Sequence, residues 1–184
     1  MPDPRLVAFI GGASGAWRID RIESVRGPGL APAERLEILE DGPMPALDAV
    51  QWILRGVTSN ERYVTRAEHL ALEARQAALG RPTATRAALI PIRKSSAWWD
   101  LSQAERRTIF EDRSRHVRTG LEYLPAIARR LQHGRDLGEA FDFVTWFEFA
   151  REDADAFGEL VARLRDTPEW DFVEREIDIR VSRG

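Results

Sequence analysis

The stretch Phe141-Asp-Phe-Val-Thr-Trp-Phe-Glu-Phe149, followed closely by Glu152-Asp-Ala-Asp-Ala-Phe-Gly-Glu-Leu-Val-Ala-Arg-Leu-Arg165, decides how this chain is read. The first run is short and rich in aromatic residues, as a strand is. In the second, Ala154, Phe157, Leu160, Val161 and Leu164 recur at helical spacing and form one apolar face. Its acidic start and basic end suit the helix dipole. The pattern extends both ways. Downstream, Val173, Ile177, Ile179 and Val181 share one face of a closing strand. Upstream, a strand is expected over 127–132, entered through Pro125, and a helix over 102–119. Ser102 and Glu105 have capping-box spacing, and Gly120 supplies the stop. Residues 87–92 read as one more strand. The second half therefore runs β-α-β-β-α-β, the ferredoxin-like pattern of an α+β fold. Such an open sheet needs its exposed face covered, commonly by another copy or by a ligand.

The first 80 residues are less regular. Strands are expected over 6–10, 17–25 and 52–57. Gly11, Gly12, Ser14 and Gly15 make a turn between the first two. They lack both the lysine of a phosphate loop and dinucleotide-binding spacing. Residues 27–45 are rich in Pro and Gly and receive no element. Residues 61–79 read as a helix, with Gly80 as its C-terminal cap. This segment is compatible with a degraded second copy of the later unit, although no sequence repeat establishes it. The chain divides into 1–80 and 81–184, two halves of one compact unit.

At 184 residues, with 43% hydrophobic and 31% charged residues, the chain has an ordinary globular balance. A net charge of −3 and a pI near 5.7 do not call for a nucleic-acid partner. The absence of cysteine excludes disulfides, iron–sulfur clusters, thiolate ligands and cysteine nucleophiles. The apolar run before Gly11 is too short for a signal-peptide core, and no stretch is long enough to span a bilayer. A soluble, cytoplasmic protein is the expectation. Six tryptophans suit either a well-filled core or a pocket for a flat ligand.

Three polar residues fall at unusual places. Ile127, Arg129 and Leu131 share one strand face, so Arg129 points inward with its apolar neighbours. An inward guanidinium needs an anion or hydrogen-bond acceptors; an internal ion pair meets that need as well as a ligand does. Lys94 ends the apolar row Ala88, Ile90, Ile92, unless the strand has already ended and the ammonium reaches water. His116 shares a helix face with Ile109 and is either a core histidine or a ligand. His69 and His133 carry no further signal, and no paired metal-ligand spacing exists.

Beyond these patterns, the motifs resemble those of the chlorite dismutase family. They are Ala88-Leu-Ile-Pro-Ile-Arg-Lys-Ser95 with Trp98-Trp99, Tyr123-Leu-Pro-Ala-Ile-Ala-Arg129, Arg135-Asp-Leu-Gly-Glu139, Phe141 to Glu148, and Pro168-Glu-Trp170. Gly11-Gly-Ala-Ser-Gly-Ala-Trp17, Leu54-Arg-Gly-Val-Thr-Ser59 and Arg62-Tyr63 extend the resemblance into the first half. The match is poorest over 28–49.

The resemblance implies a dimeric α+β barrel whose ferredoxin-like C-terminal half binds haem b. It also implies the short, homodimeric lineage, with a truncated N-terminal half. His116 matches the iron ligand, Glu169 the carboxylate behind it, and Lys94 a member of the same network. Arg129 matches the arginine over the other haem face, and Gln76 the glutamine that positions it. Trp98 and Trp99 match tryptophans near the haem, Trp146 belongs to the surrounding core, and Leu124 and Leu131 are expected to wall the pocket. The implied reaction decomposes chlorite to chloride and dioxygen through a high-valent iron–oxo species and a hypochlorite-like intermediate. The other readings are a coproheme decarboxylase-like or peroxidase-like haem enzyme, a non-catalytic haem carrier or sensor, and a barrel without cofactor.

Overall fold

The computed structural model describes residues 5–41, 49–58 and 63–184. The strands are β1 (Arg5–Gly12), β2 (Trp17–Arg26), β3 (Arg35–Glu40), β4 (Trp52–Thr58), β5 (Arg86–Lys94), β6 (Ala128–His133), β7 (Phe143–Phe149) and β8 (Val173–Ser182). The α-helices are α1 (Arg66–Arg75), α2 (Ser96–Asp100), α3 (Gln103–Arg107), α4 (His116–Glu122) and α5 (Ala154–Arg165). The strands close into one antiparallel barrel in the order β1-β3-β2-β8-β5-β7-β6-β4. Each half of the chain thus lays its four strands in the order fourth, first, third, second. The halves meet at a long β2–β8 seam and at a short β4–β6 seam through Val57 and His133. Closure is uneven: β2 and β3 pair only at Trp17–Leu36 and Arg18–Arg35, whereas β1 pairs at length with both β3 and β4.

Alternation sorts the side chains between two cores. Phe9, Trp17, Leu36, Leu89, Trp146 and Ile179 fill the barrel. On the outer face of the C-terminal strands, Ala88, Ile90, Phe147 and Phe149 pack against Phe157, Leu160 and Leu164 of α5. Strands β5 and β7 are covered on both faces, which explains their almost continuous apolar sequence.

Several elements differ from the sequence reading. Strand β3 lies inside the Pro/Gly-rich stretch that received no element; its long pairing with β1 holds it. Because β3 runs between β1 and β2, the glycine cluster is a loop turn rather than a hairpin. At Gly15 the φ is +150°, and a Cβ there would collide with the Leu36 backbone. The helix expected over 61–79 is only α1, opened by a Thr65–Glu68 capping box. Residues 61 and 62 lie outside the described residues. At Gln76 the chain is already extended, and its side-chain amide donates to the main-chain carbonyl of Arg129. Gly80 sits in the following turn and caps nothing.

The helix expected over 102–119 is three pieces. The Ser102–Glu105 capping box opens α3, a π-helical turn follows over Thr108–Arg113, and Arg115 is left-handed at φ +53°. The Glu111 carboxylate then accepts the Val117 N–H at 2.7 Å and the Arg118 N–H at 3.3 Å, restarting the helix as α4. Gly120 lies within α4 and does not stop it. Finally, a bulge beside Arg93 and Lys94 reverses the facing of the first residues of β8. Val173 therefore packs on the helix side, whereas Ile177, Ile179 and Val181 face the barrel.

Candidate active site

Between the C-terminal strands and the helices lies a cavity of about 690 Å³, within the roughly 300–1,000 Å³ typical of cofactor sites. Ile90, Ile92, Leu131, Thr145 and Phe147 line it from the sheet, and Leu72, Val117, Val161 and Leu164 from the helices.

His116 enters this cavity as the first residue of α4. The π-turn and the left-handed Arg115 break the simple spacing that placed His116 on one helix face with Ile109; Ile109 is buried separately. The Nδ1 atom of His116 lies 2.7 Å from Oε2 of Glu169. The other Glu169 oxygen accepts from Lys94 Nζ at 2.8 Å, and the Glu169 N–H donates to Ser114 Oγ at 3.0 Å. The Lys94 ammonium also stands 4.5 Å from the centre of the Trp98 ring. Lys94 and Glu169 are each 4% exposed. Burial alone would raise the Glu169 carboxyl, but the Lys94 charge and the His116 ring, with their hydrogen bonds, hold it at about 2. An ionised carboxylate only accepts. Facing that carboxylate, Nδ1 is the nitrogen that carries a proton, and Nε2 is the one left to meet a ligand. Phe110 stacks on the ring at 4.4 Å and fixes its plane.

Arg129 reaches the cavity from β6. Its guanidinium lies against Gly120, one helical turn beyond His116 on α4; a Cβ on residue 120 would collide with an Nη and stand 3.1 Å from Cζ. Arg129 thus points to the helix-covered outer face of the sheet. The barrel side of β6 carries Ala128 and Gln132, both fully buried. Three further polar atoms are buried in the lining: Tyr63 Oη, Thr58 Oγ1 and Trp98 Nε1 have no hydrogen-bond partner among the described residues.

A family model for chlorite dismutase matches residues 45–184. The chain belongs to the chlorite dismutase family. It is 56% identical to a dimeric chlorite dismutase from Nitrobacter winogradskyi; that match covers 97% of this chain and 99% of the other, at a TM-score of 0.89. A chlorite dismutase from Candidatus Nitrospira defluvii, solved in complex with imidazole, shares the fold at 18% identity and a TM-score of 0.67, over 97% of this chain and 91% of that one. A chlorite dismutase from Ideonella dechloratans is 32% identical over 81 residues, which are 44% of this chain and only 26% of that protein. The chain therefore matches about a quarter of that relative's length.

The family resemblance read from the motifs is borne out, and the structure brings most of the candidate residues together. His116, Glu169, Lys94, Trp98, Arg129, Gln76 and Leu131 all line the cavity. Two do not. Trp99 faces away, stacked on Phe143 at 6.1 Å with the Arg135 guanidinium 3.8 Å from its ring centre. Leu124 packs behind the wall with Leu72 and Val117. Gln76 touches the main chain of Arg129. Trp146 is in the barrel core. His133, which carried no signal in the sequence, also lines the cavity, whereas His69 is on the surface beside Glu73. The sequence reading missed Phe110, Ser114 and Glu176. Glu176 is buried in the lining and accepts from Trp170 Nε1 at 2.8 Å and from Arg165. Its signal was a run of acidic residues alternating with Ile177 and Ile179, which passes for a solvated face. Among the described residues, no helix is long and apolar enough to cross a membrane.

Proposed function

We propose that this protein holds haem b in the cavity, with His116 on the iron, and decomposes chlorite to chloride and dioxygen. The observation that carries the reading is His116, its Nδ1 engaged by buried Glu169 and its ring in an apolar cavity shared with Arg129.

The donors fit the group. Among the described residues, no cluster of three or more His, Asp or Glu could hold a metal. An iron at His116 must then bring its other donors, as haem does. Tyr63 Oη, Thr58 Oγ1 and Trp98 Nε1 offer buried donors to the acidic groups of such a ligand. Glu169 and Lys94 fix the His116 tautomer and make the imidazole a stronger donor.

A haem held by His116 would supply redox-active iron for oxygen-atom chemistry on chlorite. Conversion of chlorite to chloride and dioxygen gains and loses neither protons nor electrons, so the cavity needs no protein acid. Arg129 attracts the anion and orients its oxygens through charge-assisted hydrogen bonds. The same guanidinium would hold a chlorine oxyanion within the cavity. Gln76 holds the Arg129 main chain, and Leu131 contributes apolar wall.

We further infer that residues 81–184 form a ferredoxin-like haem-binding half and residues 1–80 its truncated counterpart. The strand order common to both halves supports this, as does the short loop that replaces a helix between β1 and β2. Likeness to a dimeric relative supports a homodimer.

The test is to load the purified protein with haem, add chlorite and follow oxygen with an electrode, using His116→Ala as control. Rapid, stoichiometric oxygen release that needs His116 is expected. Haem binding without oxygen would redirect the assignment to a haem carrier or to a coproheme-modifying enzyme.

A further inference from the structure

We propose that Gly120 is a positioning residue for Arg129: the missing side chain on α4 is the seat of the guanidinium. The inference rests on the anion-handling role given to Arg129 above. Three observations carry it. Gly120 is inside α4 and ends nothing. Its φ is not in the left-handed region, so backbone conformation does not demand glycine there. A glycine inside a helix costs stability relative to alanine, by about 1 kcal/mol. What demands it is space: the nearest atoms to a Cβ at this position are all in the Arg129 guanidinium, two nitrogens and Cζ.

The geometry has a functional consequence. His116 and Gly120 are four residues apart on one helix, roughly 6 Å along its axis. Resting the guanidinium on Gly120 therefore fixes where its positive charge stands relative to the imidazole. The obstacle met by a new Cβ is the far end of a flexible side chain. A methyl group at 120 would move the arginine and leave the helix intact. Stability and anion handling should then change in opposite directions.

The experiment is Gly120→Ala, read in two ways. In the haem-free protein, the Arg129 Nε–Hε resonance, assigned with Arg129→Ala, should shift in Gly120→Ala while the thermal midpoint stays level or rises. In the haem-loaded protein, fluoride, a small anion that accepts hydrogen bonds, should bind at least about tenfold more weakly to Gly120→Ala. That corresponds to the loss of one charge-assisted hydrogen bond. The same substitution made in Arg129→Ala should cost nothing further. An unmoved Arg129 resonance would overturn the proposal whatever haem does. So would an equal fluoride penalty in the Arg129→Ala background, because Gly120 would then act without the arginine. Failure of the wild-type protein to take up haem would instead count against the assigned function, and the haem-free readout would still decide the role of Gly120.

Discussion

Nδ1 of His116 and Oε2 of Glu169 are 2.7 Å apart, and the same carboxylate closes on Lys94 through its other oxygen. One buried anion thus serves two partners on different elements, α4 and β5. Glu169→Gln keeps the shape and removes the charge. It leaves a buried ammonium without its counter-ion, a change that typically costs about 3–5 kcal/mol. Denaturant unfolding should show this loss. Metal or haem affinity should fall by roughly 10–100-fold, the usual effect of losing a carboxylate behind a ligating histidine. Haem titration followed by absorbance would measure it, and unchanged affinity would remove Glu169 from the site.

Arg129→Ala should still bind haem, since the iron-side residues are untouched. A charge-assisted hydrogen bond contributes about 1.5–3 kcal/mol, so KM for chlorite should rise roughly 10–100-fold. The oxygen yield per haem before inactivation should fall as well, because the reactive oxyanion is no longer held. A yield equal to that of the unaltered protein would sink the retention role.

Asp178 anchors an ionic cluster under α5, accepting from Arg180 at 2.5 Å and Arg165 at 3.1 Å. Burial would raise its carboxyl, but the hydrogen bonds and charges of Arg180 and Arg165 lower it below the ordinary 3.8. A depressed folded-state value means stabilisation that is complete well above pH 3.8 and fades as pH falls through the lower folded value. Asp178→Asn should therefore be less stable than the unaltered protein at pH 7, and the gap should narrow on acidification below about pH 4. Thermal midpoints of the pair from pH 7 to pH 3 would show it. A gap that stays constant would mean the charge contributes nothing.

Phe157 is fully buried, its ring 4.6 Å from Phe149 and 5.0 Å from Phe147. Truncation to alanine should cost about 3–5 kcal/mol. Because α5 also walls the cavity through Val161 and Leu164, haem affinity should weaken along with stability. Urea unfolding with and without haem would separate the two effects.

Sequence alone determined the strands and helices whose signals are local. The apolar face of α5 and the aromatic run of β7 needed only side-chain periodicity, and the Ser102–Glu105 box needed only two residues three apart. Arg129, Lys94 and Glu169 were legible because family motifs carry them as ordered strings, and His116 because the resemblance implies an iron ligand at that place. What tertiary structure alone decided were features held by distant partners. Strand β3 exists because β1 pairs with it, and α1 ends where Gln76 turns to the Arg129 carbonyl. Gly120 looked like a helix stop because glycine ends helices more often than it makes room; only the position of Arg129, nine residues on, distinguishes the two uses. Trp99 and Leu124 share motifs with residues that reach the cavity, yet each points elsewhere. A motif states which residue types are near in sequence, whereas the direction of a side chain is set by register, bulges and the closure of the barrel.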